Sequence, residues 1–180
     1  GYQATHASNS NFIGTNVGFA ATYSVNSNFI GYNTGYQATS ATFSNLIGFN
    51  AGSNINANNI GRNNIIIGTN VGLPTNTQDS FNIGGVLFGV NTYFDANPNN
   101  APSVTPTANG AIGVGVVTPD PSAIVEINST TKGLLLPRMT KAQRNLISAV
   151  AGLMIYQTDN TPGLRVYNGS NWVRFTETID

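Results

Sequence analysis

The 180-residue chain has no cysteine, one histidine and one tryptophan. Without cysteine neither a disulfide nor a thiolate metal site can form, and the compartment is left open. Charge is scarce: seven Lys or Arg and seven Asp or Glu, net zero, with none of the 14 in residues 1–61. A neutral chain with no basic patch has nothing to meet phosphate, so no nucleic-acid partner is expected. No apolar run approaches the ~20 residues a membrane helix needs, so no membrane insertion is expected either. Catalytic sets are equally poor. His6 stands alone, and the acids, all from Asp79 onward, are not clustered, so no nucleophilic triad or glycosidase carboxylate pair is expected. Gly113-x-Gly115 follows an apolar run, but the third glycine of a dinucleotide loop is missing, and Pro119 and Pro121 block the helix it requires. These absences predict a non-enzyme with no cofactor and no metal.

What replaces charge is Asn, Thr, Ser and Gly in strict order. Ser10-Asn11-Phe12-Ile13-Gly14 returns as Ser27-Asn28-Phe29-Ile30-Gly31 and as Ser44-Asn45-Leu46-Ile47-Gly48, 17 residues apart each time. Ala4, Ala21 and Ala38 keep the same step, as do Thr5, Thr22 and Thr39. A disordered polar tract has no reason to keep apolar pairs in register, whereas a solenoid buries each unit against its neighbours. In Ile-Gly-x-Asn the glycine supplies positive φ and the asparagine tolerates the left-handed region, so strand is followed by corner. The corners are Gly14 and Asn16, Gly31 and Asn33, Gly48 and Asn50, and Gly68 and Asn70. Seventeen residues suit two short strands and two turns, stacked in parallel ~4.8 Å apart, with alanine and threonine making a second, flat strand. The fold class is therefore mainly β: a parallel β-coil, of β-roll or β-helix type. So thin a coil has little interior, and Tyr2, Phe19 and Tyr36 need another surface. Three chains around one axis would supply it.

Four segments follow from this pattern. Residues 1–51 are regular coils. Residues 52–94 are irregular capping repeats, with apolar copies at Ile65-Ile66-Ile67 and Val86-Leu87-Phe88. Residues 95–109, holding Pro98, Pro102 and Pro106, read as an extended connector. Residues 110–180 form a small mixed domain. Its strands are expected at 112–117, 124–127 and 134–136. A capping box at Thr140 opens a helix over 140–148, and hairpins span 153–175, one of them turning at Asn168-Gly169. Gly1 falls at the start of a repeat, which predicts that the chain is a fragment with more repeats upstream.

Two groups of residues invite a binding role. In a trimer three copies of His6 would meet a metal on the axis, but the same phase holds Tyr23 and Ser40, which favours a variable exposed position. Tyr156, Tyr167 and Trp172 have the shape to stack on a sugar, or else they form the core of the small domain. Lys132, Arg138, Lys141 and Arg144 read as a solvated basic face.

The repeat Gly-Tyr-Gln-Ala-Thr…Ser-Asn-Phe-Ile-Gly-x-Asn, closing in Asn63-Asn64-Ile65-Ile66-Ile67-Gly68-Thr69-Asn70, resembles the tail fibre proteins of bacteriophages and phage-like particles. In pattern it is also similar to the shorter head repeats of trimeric autotransporter adhesins. The stretch Ser129–Thr140, with Tyr167-Asn168-Gly169-Ser170-Asn171-Trp172-Val173, looks like a module near the C-termini of such fibres. The resemblance implies an extracellular homotrimer on a virion or particle surface. It would attach to a bacterial surface glycan or protein and join other fibre or baseplate proteins. An ice-binding repeat protein and a bacterial cell-surface adhesin are the alternatives. The corner reading makes a first prediction: Gly31→Val disrupts the shaft, because a β-branched residue cannot readily hold positive φ. A change at Tyr32 matters far less, and equal thermal tolerance of the two would contradict it.

Overall fold

Stacking identical coils forces every side chain to sit over its own copy. The computed structural model describes residues 2–53, 59–92 and 109–175. It divides into two compact units, Gly1–Thr130 and Thr131–Asp180.

In the first unit the repeat motif forms three-residue strands, β1 (Asn11–Ile13), β2 (Asn28–Ile30), β3 (Asn45–Ile47), β4 (Ile65–Ile67) and β5 (Phe81–Ile83). They pair in parallel and in register, Phe12 over Phe29, Leu46 and Ile66. These central residues point inward. Phe29, Leu46 and Ile66 are fully buried in one chain, together with Val17, Ala21, Ala38, Ala41 and Ala51. The coil therefore has an apolar interior of its own, contrary to the expectation of almost none. The flanking residues point outward, and Ile13, Ile30, Ile47 and Ile83 form an exposed apolar row.

The corner glycines have two reasons to be glycine. Gly14, Gly31, Gly48 and Gly68 have φ of 126°, 139°, 133° and 142°, a region nearly closed to L side chains. A Cβ on Gly31 would also collide with the Gly48 carbonyl of the next coil. Asn16, Asn33, Asn50 and Asn70 have φ between 51° and 53°. Tyr32, exposed beside Gly31, stacks on Phe49 with ring centroids 5.4 Å apart.

The second half of each coil is not the flat strand the sequence suggested. Its ladder pairing is a single bridge per coil, at Thr5, Thr22 and Thr39. Around each bridge every third residue is left-handed: Gln3, His6 and Asn9, then Ala20, Tyr23 and Asn26, then Gln37, Ser40 and Phe43. The residue after each left-handed position in the second and third coils is small and buried: Ala21, Ser24 and Ser27, then Ala38, Ala41 and Ser44. A three-residue corner needs a small side chain on the inside, and that side chain replaces the alternation of a strand.

A polar ladder runs beside the apolar core. The Ser27 N–H donates to Ser10 Oγ, Ser44 N–H to Ser27 Oγ and Asn64 N–H to Ser44 Oγ, each at 3.1 Å, and Ser80 N–H donates to Asn64 Oδ1 at 3.1 Å. The Ser27 hydroxyl donates in turn to the Ala41 carbonyl at 2.6 Å. On the outer face the Asn11 amide donates to Asn28 at 2.8 Å and Asn28 to Asn45 at 2.9 Å.

The coil ends by reversing. The stretch Val86-Leu87-Phe88, expected as a further parallel copy, instead leads from the turn at Val86 into β6 (Leu87–Val90), antiparallel to β5. Gly84 and Gly85, at φ 65° and 72°, turn the chain back. β7 (Ala111–Val114) pairs with β6 and β8 (Val125–Ile127) with β7, so residues 111–127 extend the first sheet rather than opening a domain at 110. The 95–109 connector lies, but for Asn109, outside the described residues, as do parts of the 52–94 segment.

In the second unit β9 (Arg138–Met139), α1 (Lys141–Arg144), β10 (Met154–Gln157), β11 (Gly163–Tyr167) and β12 (Trp172–Arg174) form a sheet ordered β12-β11-β10-β9 with one helical turn. No strand forms over Leu134–Leu136. The capping box on Thr140 forms with Gln143, but α1 stops at Arg144 rather than near Ser148. The chain beyond has no apolar face to dock, since Leu146 is 87% exposed, and it tightens into turns with bonds from Leu146 N–H to the Gln143 carbonyl and from Ile147 N–H to that of Arg144.

The serine ladder yields the second prediction. Ser27→Ala leaves the buried Ser44 N–H without its side-chain acceptor and the Ala41 carbonyl without its donor, at a cost of about 2 kcal/mol. Ser24→Ala is neutral or stabilising, because the buried Ser24 hydroxyl has no partner and both repeat neighbours, Ala7 and Ala41, are alanine. Chemical denaturation of both variants checks the contrast.

Candidate functional site

Directly opposed residues on paired strands share a face, and the face alternates along each strand. In the second unit Tyr156 opposes Leu164 and Arg138, Met154 opposes Val166, and Val166 opposes Val173. All therefore lie on one face. Leu134, Leu135, Leu136, Arg138, Tyr156 and Leu164 line a groove of about 430 Å³ there. This face is apolar and open: Leu134 is 66% and Leu135 78% exposed, and Met154, Tyr156 and Val173 are also exposed. The Arg138 guanidinium lies 5.6 Å from the Tyr156 ring.

The opposite face carries Ile155 and Gln157 on β10, Arg165 and Tyr167 on β11, and Trp172 and Arg174 on β12. Tyr167 and Trp172 pair with centroids 5.4 Å apart and planes tilted by 57°. Arg144, from α1, lies 5.6 Å from the Trp172 ring and donates from Nη1 to Gln157 Oε1 at 2.6 Å. The buried Gln157 amide donates to the carbonyls of Asp159 and Asn160 at 2.7 and 3.1 Å. Beneath them Arg165 is only 6% exposed and donates from Nη2 to the Thr161 carbonyl at 2.7 Å. Burial, and the neighbouring Arg174 and Arg144 charges, hold the Arg165 guanidinium below its usual pKa.

The three aromatic candidates therefore do not converge. Tyr167 and Trp172 form a pair, and Tyr156 stands behind the sheet among leucines. Among the basic residues singled out, Arg138 and Arg144 also separate to the two faces. His6 stacks on Tyr23 at 4.7 Å, and among the described residues no group of three or more His, Asp or Glu could hold a metal. The sequence reading missed the arginines of β11 and β12 and the apolar row Met154, Val166 and Val173. The signal was there in the alternation Leu164-Arg165-Val166 and Val173-Arg174, once both strands are given a face.

No helix among the described residues is long and apolar enough to cross a membrane. The chain matches no curated protein and no solved structure. Residues 113–180 match the family described as the phage tail-like trimerisation region. With that match over its C-terminal part and a β-solenoid before it, the chain fits a phage tail fibre-like trimeric protein, a structural protein of tail-fibre type.

Proposed function

We propose that this chain is a non-enzymatic fibre subunit that attaches a phage or phage-like particle to a bacterial surface, most readily to a glycan. It would act outside the cell, on the particle surface, joined to other fibre or baseplate components. The observation that carries the reading is the open apolar face around Tyr156. A sheet whose described buried residues are Ile155, Gln157 and Arg165 cannot bury enough apolar surface alone. An apolar face this open marks an association surface, and it falls within the segment that matches a trimerisation region. Three copies related by one axis would cover it, which makes Tyr156 an interface residue rather than a sugar contact.

The opposite face remains for a receptor. The Tyr167–Trp172 pair, half-buried, offers a ring surface of the kind that stacks on a sugar. Three identical sites turn weak single contacts into firm attachment, with a gain of about 10²–10⁴ through effective concentration.

Two measurements test the proposal. Tyr156→Glu puts a charge in the apolar face and is expected to shift the protein to monomers by light scattering; an unchanged trimer would contradict this interface. The wild-type trimer is expected to bind bacterial cells or a glycan array, and the monomeric variant to lose at least about tenfold in apparent affinity. A stable trimer that binds no cells and no glycans would overturn the attachment function.

A further inference from the structure

The helix-side face of the second unit holds three guanidinium groups and, among the described residues, no partner for their charge. Arg165 and Arg174 are directly opposed on β11 and β12, and Arg144 reaches in from α1 to Gln157. None of the three is paired with a carboxylate among the described residues. Asp159, the acid nearest in sequence to Arg165, is engaged elsewhere, accepting from the Lys141 N–H at 2.6 Å and from the Asn160 amide at 3.2 Å. The central guanidinium is incomplete. Arg165 Nη1 is buried and has no hydrogen-bond partner among the described residues. The space beside it is kept by a glycine: a Cβ on Gly163 would come within 3.1 Å of Arg174 Nε and 3.6 Å of Arg165 Nη1. Arg174 is exposed and its side chain makes no hydrogen bond among the described residues, so swinging it off Arg165 breaks no polar contact there. In the row next to this pair, Tyr167 and Trp172 present their rings on the same face.

A buried guanidinium lacking a partner is costly, and like charges in one place add to the cost. An oxyanion removes both penalties, and a carboxylate matches the guanidinium fork with two hydrogen bonds. We propose that Arg165, Arg174 and Arg144 form an anion site for an acidic sugar, its carboxylate on the arginines and its ring against Trp172. The proposal rests on the attachment reading above and adds the receptor's chemical class: a glycan bearing uronate-type residues.

Trp172 is the only tryptophan, so selectively excited tryptophan fluorescence reports on this face alone. The intact protein is titrated with sodium glucuronate, with glucose as the neutral control and sodium sulfate and sodium chloride at matched ionic strength. Glucuronate is expected to change Trp172 fluorescence saturably and to raise the melting temperature, with glucose and chloride inactive. Arg174→Gln, at an exposed position, is expected to weaken glucuronate about tenfold or more, as loss of a charge-assisted bond does. Arg174→Glu places a carboxylate beside Arg165. It is expected to raise the melting temperature without ligand and to abolish the response to glucuronate. Equal responses to glucose and glucuronate, or no loss in either variant, would overturn the anion site while leaving attachment to neutral glycans standing. A response to sulfate alone would reduce the site to one for inorganic oxyanions and overturn the sugar assignment.

Discussion

Everything in the first unit depends on one constraint: each coil must lie at strand spacing, ~4.8 Å, from a copy of itself. At that distance the carbonyl of one corner glycine occupies the space where the preceding one would carry a Cβ, so Gly14, Gly31 and Gly48 cannot be anything larger. The same constraint excludes charge. An Asp or Lys in the repeat would stand beside an identical charge in the next coil, whereas Asn, Ser and Thr can donate to one neighbour and accept from the other. The ladder from Ser10 to Ser80 and the amide row from Asn11 to Asn45 are that exchange carried through. Aromatic rings stack for the same reason, Phe12 on Phe29 at 4.9 Å and Phe19 on Tyr36 at 5.0 Å.

An unbroken stack of this kind would present an open sheet edge to any passing strand. The chain reverses at Gly84-Gly85 and pairs β6 antiparallel to β5, and β7 and β8 continue the sheet, so the edge passes to the three-residue strand β8. Beyond Thr130 the physics changes. The second unit has an ordinary share of charge but very little core, and its sheet leaves one face apolar and the other cationic. Both faces ask for something outside the chain. The apolar face is suited to further copies of itself, and the cationic one to an anion.

Period and corners were readable because repetition amplifies them: Phe-Ile-Gly-x-Asn at fixed spacing leaves few alternatives to a parallel coil. The second half of the coil was not readable. A left-handed backbone at Ala20, Tyr23 and Phe43 contradicts local preference and is held only by the ladders above and below. Val86-Leu87-Phe88 misled because an apolar triplet looks the same on a parallel and an antiparallel strand, and only the paired glycines before it give the direction. The limit of the first unit was misplaced because cross-strand pairing of residues 111–114 with 87–90 leaves no mark on composition. In the site, composition drew attention to aromatics. The pairing of β10 with β11 put Tyr156 on the far face from Trp172, and no single-strand reading contains that register.

Self-association is the claim on which the fibre reading stands. Sedimentation equilibrium of the purified chain measures it most directly. The account predicts a single species at three times the 18.9 kDa chain mass, stable to dilution. A soluble, folded monomer that keeps its β-structure at the same concentrations would contradict it.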